Sequence, residues 1–276
     1  MRHCRPLLGT FVEIECDSAE AIDAAFTAIE HVHRLMSAHD PDSELSKLNH
    51  SAHRTPMTVS EPTAAVLLRA AYWASLTDGA FDVVSAGRGA VARGVLPIHP
   101  GQPRPDPLAD WTVLRLDGLT VTLDRPACLD VGGIAKGYAV DLAVAAMRRT
   151  GAARGLVNAG GDLRGFGKEP WPVAVVDPLT RRPQVMIALD NEALATSAGV
   201  ADNGAELDFS HLPRSSRGWL SVSVRATNAC DADALTKVVW AMADGAAPLL
   251  LDHGAVALAI DADRRVIALG RTLAAA

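Results

Sequence analysis

The sequence predicts an α+β fold with largely antiparallel sheets packed with helices. Strand and helix patterns come in blocks and do not alternate strictly, which disfavours a doubly wound sheet. The clearest pairings are hairpins: Trp111 to Leu116 and Leu119 to Leu123 flank an Asp117-Gly118 turn. Beyond residue 154 come short strand patterns at about 155–158, 163–167, 172–177, 184–189 and 193–197, separated by Asp-rich and small-residue turns. No internal repeat or low-complexity tract interrupts the chain, which is expected to be a single domain over residues 1–276.

Taken in order, Leu7 to Cys16 alternates Phe11, Glu13 and Glu15 with Val12, Ile14 and Cys16, a half-buried strand. Ser18 caps a helix running to about Met36, with Ala21, Ala25, Ile29 and Val32 on one face. An Asp40-Pro41 turn follows, and Ser43 can cap a short helix over Glu44 to Leu48. Ser60 and Pro62 open a long helix that ends near Asp78-Gly79, and Gly79 to Asp82 form a loop. Residues 87–107 are rich in glycine and proline, which predicts a surface excursion without regular structure. Leu129-Asp130-Val131 reads as the end of a buried strand and Gly132-Gly133 as a tight turn. Ala135 then starts a helix that Gly151 closes. Trp219 to Ala226 reads as a strand, Ala229 to Ala243 as a helix, and 255–260 and 265–269 as a final strand pair.

Composition narrows the function. A hydrophobic fraction of 49% over 276 residues supports a full core, and a net charge of -6 without a Lys/Arg-rich run argues against a nucleic-acid partner. Met1 to Asp17 lacks the apolar core of a signal peptide, and no other stretch is expected to approach the ~20 apolar residues that would span a bilayer. The expected location is therefore the cytoplasm. Cys4, Cys16, Cys128 and Cys230 lie far apart with no CxxC pair, so buried free thiols are expected. Only Lys47, Lys136, Lys168 and Lys237 are lysines among 26 basic residues. A lysine within a motif then suggests that a compact ammonium is wanted there.

The best site candidate is LDVGGIAKGYAVD at 129–141, read with VNAGGDLRGFG at 157–167. A strand ending at a diglycine before a helix leaves N–H groups free for an anion such as a phosphate. Ile134 excludes the GxGxxG dinucleotide pattern, and Tyr138 after Gly137 excludes a P-loop. A turn that uses glycine only for positive φ satisfies the same pattern.

Together these stretches resemble the FAD:protein FMN transferases of the ApbE type. The matching pieces are LLGTFVEI, MSAHDPDSELSKLN, GAFDV, LDVGGIAKGYAVD, VNAGGDLRGFG, ATSAG, Ser210-His211 and ADALTK at 232–237, nearly the whole chain. The resemblance implies an ApbE-like, T-fold-like architecture. It also implies Mg2+-dependent transfer of FMN from FAD to a threonine of an acceptor flavoprotein, with release of AMP. By the same resemblance, Leu8, His39, Ala80, Phe81, Asp82, Asp130, Gly132, Lys136, Gly160, Gly161 and His211 would bind FAD. Gly133, Asp233 and Thr236 would hold the metal, and His211, Asp233 and Lys237 would serve catalysis.

Two departures qualify this. Lys237 stands where the family has a threonine on the metal, and Leu212 to Gly218 replaces an Asp-Pro-Arg-Thr-Gly loop. Asp233 and Lys237, spaced i and i+4, can also form a simple ion pair. An FAD pyrophosphatase and a non-catalytic FAD-binding relative are the alternatives. A monomer or homodimer is expected, and many relatives are exported, which makes the periplasm the alternative location.

Overall fold

The computed structural model describes residues 1–202, 206–208 and 217–270. Ten strands and helices precede residue 150, most of them marked by local signals. β1 (Arg2–Leu7) and β2 (Thr10–Cys16) form a hairpin through Leu8 and Gly9, both at positive φ. α1 (Ala19–Met36) is opened by the Ser18 hydroxyl, which accepts from Ala21 N at 3.2 Å. α2 (Glu44–Ser51) has Ser43 as its cap, accepting from Ser46 N at 3.0 Å. β3 (Met57–Thr58), α3 (Glu61–Leu76), α4 (Val83–Ala92), β4 (Leu114–Asp117) and β5 (Thr120–Leu123) follow, then α5 (Ala135–Arg149).

The remaining strands are β6 (Gly155–Ala159), β7 (Asp162–Phe166), β8 (Trp171–Val176), β9 (Pro183–Leu189), β10 (Ala193–Ala198), β11 (Val200–Asp202), β12 (Glu206–Asp208) and β13 (Ser221–Ala226). α6 (Ala229–Met242), α7 (Ala247–Asp252), β14 (Val256–Ile260) and β15 (Val266–Gly270) complete the described chain.

These elements make two compact units, Met1–Ile29 with Lys136–Ala276, and Glu30–Ala135. The first is built on an eight-stranded sheet in the order β1-β2-β6-β7-β10-β13-β14-β15, with every pairing antiparallel. α6 packs on β7, β10 and β13, burying Ala232, Leu235, Val238, Val239 and Trp240. The β8-β9 hairpin covers a second cluster with Trp171, Val175, Ile187 and Leu189 against Leu163, Leu194, Leu258 and Ile260. The second unit holds α2, α3, α4 and a small sheet in the order β3-β5-β4. The predicted α+β class with antiparallel sheets is what is observed.

Several expectations are corrected. Residues 87–92 are helical, because Gly87 serves close packing in α4 and not loop flexibility: a Cβ there would lie 1.9 Å from the Cys128 carbonyl oxygen. The excursion therefore begins only after Ala92. Leu129-Asp130-Val131 is not a strand, although Leu129 and Val131 are buried and Asp130 is half-buried. It has no ladder partner among the described residues, since the Asn49 amide oxygen accepts the Leu129 N–H at 2.8 Å and its nitrogen donates to the Leu129 carbonyl at 3.3 Å, while Asp130 N–H donates to Val83 O at 2.9 Å. Trp111 to Val113 form a single helical turn capped by Asp110, so that hairpin begins at Leu114. Cys4 is exposed while the other three thiols are buried. Contrary to expectation, the run Ala229–Asp252 is long and apolar enough to cross a membrane, with half of its most apolar window buried inside the protein.

Candidate functional site

In the sheet unit, two glycine features converge on charged side chains. Gly160 and Gly161, at φ +66° and +101°, make the two-residue turn between β6 and β7. Gly161 N–H donates to Asn158 Oδ1 at 2.9 Å, and a Cβ on Gly160 would lie 2.3 Å from Thr10 Oγ1. This tight turn delivers Asp162 as the first residue of β7, with no solvent exposure. Lys136, in the first turn of α5, donates to Asp162 Oδ2.

Gly137 acts on the other side. A Cβ there would sit 2.1 Å from the Ala229 carbonyl oxygen, so α5 meets the start of α6 backbone to backbone. That approach lets Gly137 N–H reach Asp233 Oδ2 at 3.3 Å. One turn later Asp141 accepts from Ala229 N and Cys230 N, both at 2.9 Å, and from Arg164 at 2.6 Å. The carboxylate thus caps α6 from a neighbouring helix.

Asp233 is fully buried on α6, and Lys237 one turn on donates to its Oδ1. Lys237 also donates to the Asp233 carbonyl at 3.3 Å. The two ion pairs are electrically coupled. Burial and the neighbouring Asp233 carboxylate push the Asp162 pKa up, against the pull of Lys136 and Lys237. Burial opposes the Lys136 charge, but Asp162 and Asp233 outweigh it and hold its pKa above the ordinary lysine value. Asp162 Oδ1 is buried and lacks a hydrogen-bond partner among the described residues.

The expected residues divide as follows. Lys136, Asp233 and Lys237 come together in the sheet unit, Gly160 and Gly161 form the turn that precedes Asp162 there, and Leu8 lies in the β1-β2 turn of the same unit, near the Thr10 that meets Gly160. Thr236 is buried, its hydroxyl bonded to Ser197 Oγ and donating to the Asp233 carbonyl, both at 2.7 Å. His39, Ala80, Phe81, Asp82, Asp130, Gly132 and Gly133 belong to the other unit. There His39 is exposed, Phe81 is buried, and Asp82 caps α4 through Val84 N at 2.8 Å while accepting from Trp111 N at 3.1 Å. The Gly132 N–H is not free for an anion, since Asp130 Oδ1 accepts it at 2.8 Å. His211 and the loop after it up to residue 216 lie outside the described residues.

Sequence reasoning missed Asp162, Asp141 and Ser197. Asp162 had a usable signal, as an acidic residue directly after a diglycine hairpin turn; Asp141 had only its i+4 spacing from Gly137.

A divalent cation such as Mg2+ prefers six oxygen ligands in a near-octahedral shell. Among the described residues no group of three or more His, Cys, Asp or Glu side chains could hold a metal. Asp233 already carries an ammonium on Oδ1 and a backbone N–H on Oδ2, and the Thr236 hydroxyl is engaged. Two carboxylates balance two ammoniums. The residues do not fit a Mg2+ on Asp233 while Lys237 stays where it is.

An α+β protein whose strand turns and facing helices gather a buried, charge-balanced Lys/Asp cluster is the class that fold and site define. Residues 8–260 match the ApbE family model, and the chain belongs to the ApbE family. It is 27% identical over 249 residues to the FAD:protein FMN transferase of Haemophilus influenzae, covering 78% of this chain and 70% of that one. With the Vibrio cholerae FAD:protein FMN transferase it shares 31% over 183 residues, 61% of this chain and about half, 55%, of the relative's length. Its fold superposes on the crystal structure of the ApbE protein from Thermotoga maritima with a TM-score of 0.83 at 26% identity, covering 98% of this chain and 97% of that one.

Proposed function

We propose that this chain transfers the FMN half of FAD to a threonine of an acceptor flavoprotein, releasing AMP. Family membership and the names of the relatives support the reading. The observation that carries it is the placing of the Lys136 and Lys237 ammoniums in one coupled cluster, each held by a buried carboxylate. In this transfer a threonine oxygen bonds to the FMN phosphorus as the pyrophosphate P–O bond breaks. The threonine proton is lost, and AMP leaves with the bridging oxygen. Negative charge builds on the phosphoryl oxygens and on AMP, and positive groups fixed beforehand lower that barrier.

Lys136 is the first candidate for the phosphate, because Asp162 orients it and its raised pKa keeps it charged. His39, Ala80, Phe81, Asp82, Asp130, Gly132 and His211 are proposed flavin or adenine contacts on the resemblance alone. No step runs through Mg2+.

The test follows products. Purified chain, FAD and a threonine-bearing acceptor should give AMP in equal amount to covalently attached flavin. AMP with free FMN would make the activity a pyrophosphatase, and no AMP at all would leave a flavin-binding protein.

A further inference from the structure

The cluster of Asp162, Asp233, Lys136 and Lys237 has two features that a bare acidic pair lacks. Asp233 has no solvent exposure and both of its carboxylate oxygens are engaged, one by an ammonium from its own helix. Asp162 is equally buried, is electrically coupled to Asp233 and Lys237, and keeps Oδ1 without a partner among the described residues. A buried carboxylate oxygen without a donor is costly unless a cation or proton is near. The Lys237 side chain is itself largely buried, with 16% exposure.

We propose that Lys237 is a built-in counter-cation that excludes divalent metal from this site, and that neutralising it opens a divalent-cation site on Asp233 and the free oxygen of Asp162. A dication added beside both ammoniums would meet repulsion from each, while the two carboxylates are already neutralised. With Lys237 gone, two buried carboxylates face one remaining ammonium, and a hard divalent cation supplies the missing charge to oxygen ligands of the kind it prefers. The inference concerns occupancy of the site by a cation, so it does not depend on whether flavin is the substrate.

The probe is Mn2+ alone, with free ion measured by electron paramagnetic resonance during titration of the full chain without nucleotide. Wild type and Lys237→Arg are expected to take up no Mn2+ here. Lys237→Ala should bind one per chain, at least about 100-fold tighter than wild type. Lys237→Ala combined with Asp233→Asn should lose it. Lys237→Gln keeps side-chain volume and serves if the alanine variant fails to fold. The proposal is overturned if wild type binds Mn2+ as tightly as the neutral variant and Asp233→Asn abolishes that binding. It is equally overturned if a folded neutral variant, checked by circular dichroism, binds none.

Discussion

Lys237 lies against Asp233 one helical turn earlier on α6, so a carboxylate with no solvent exposure is neutralised from its own helix. An exposed i,i+4 pair contributes only a few tenths of a kcal/mol. Here the carboxylate is buried, and removing its partner leaves an uncompensated charge. Lys237→Ala should therefore lower stability by about 3 kcal/mol in urea denaturation. A loss below about 0.5 kcal/mol would mean that the pair behaves as a surface bridge.

Lys136 is the residue on which the proposed chemistry leans most. Lys136→Met should reduce AMP release from FAD roughly 100- to 1,000-fold, the usual loss when a preset charge-stabilising group is removed. Lys136→Arg should recover only part of this, because the planar guanidinium does not match the compact ammonium held by Asp162. Near-normal turnover in Lys136→Met would remove Lys136 from the site.

Asp177 gives the clearest pH signature. It is fully buried at the β8-β9 turn, accepts from Leu179 N and Thr180 N, both at 2.9 Å, and pairs with Arg264 at 2.7 Å. Burial raises its pKa, but the two N–H donors and Arg264 outweigh that and hold it below the ordinary aspartate value. A depressed folded pKa means the stabilisation is present above the unfolded pKa of about 4 and is lost as pH falls through the lower folded value. Asp177→Ala should cost about 2 kcal/mol at pH 7, and the gap to wild type should close below pH ~4. A gap that stays constant down to pH ~2 would contradict the assignment.

Gly137 and Asn49 hold the central segment from its two ends. Gly137→Ala forces a Cβ to within 2.1 Å of a backbone oxygen and should cost about 3 kcal/mol, whereas Gly118→Ala meets nothing within 4 Å and suffers only its positive φ. Asn49→Ala strands the N–H and carbonyl of Leu129 in the core and should cost about 2–4 kcal/mol. Equal melting temperatures for the two glycine variants would refute the close-approach argument.

These cases also mark how far the sequence was readable. The Asp117-Gly118 hairpin turn, the Ser43 and Ser18 caps and the five strands expected between 155 and 197 rest on local pattern, and the structure reproduces those five strands within a residue or two. β1 escaped because all but its last residue are exposed, so no apolar alternation marks it. The 129–131 segment misled because burial alone makes an apolar run look like a strand, whereas its partners are a side-chain amide 80 residues away and one helix-end carbonyl. Lys136 and the pairing of Asp233 with Lys237 were visible in the motif. Asp162 was not singled out: its place directly after the Gly160-Gly161 turn marks it as an acid at a strand start, but its partner Lys136 is 26 residues away and no local pattern links the two.

The most direct measurement is a product balance. Wild-type chain with FAD and a threonine-bearing acceptor is expected to release one AMP for each flavin that becomes covalently bound. The Lys136→Met variant should do neither above background. AMP formation without attached flavin, or attachment that ignores Lys136, would contradict flavin transfer at this cluster.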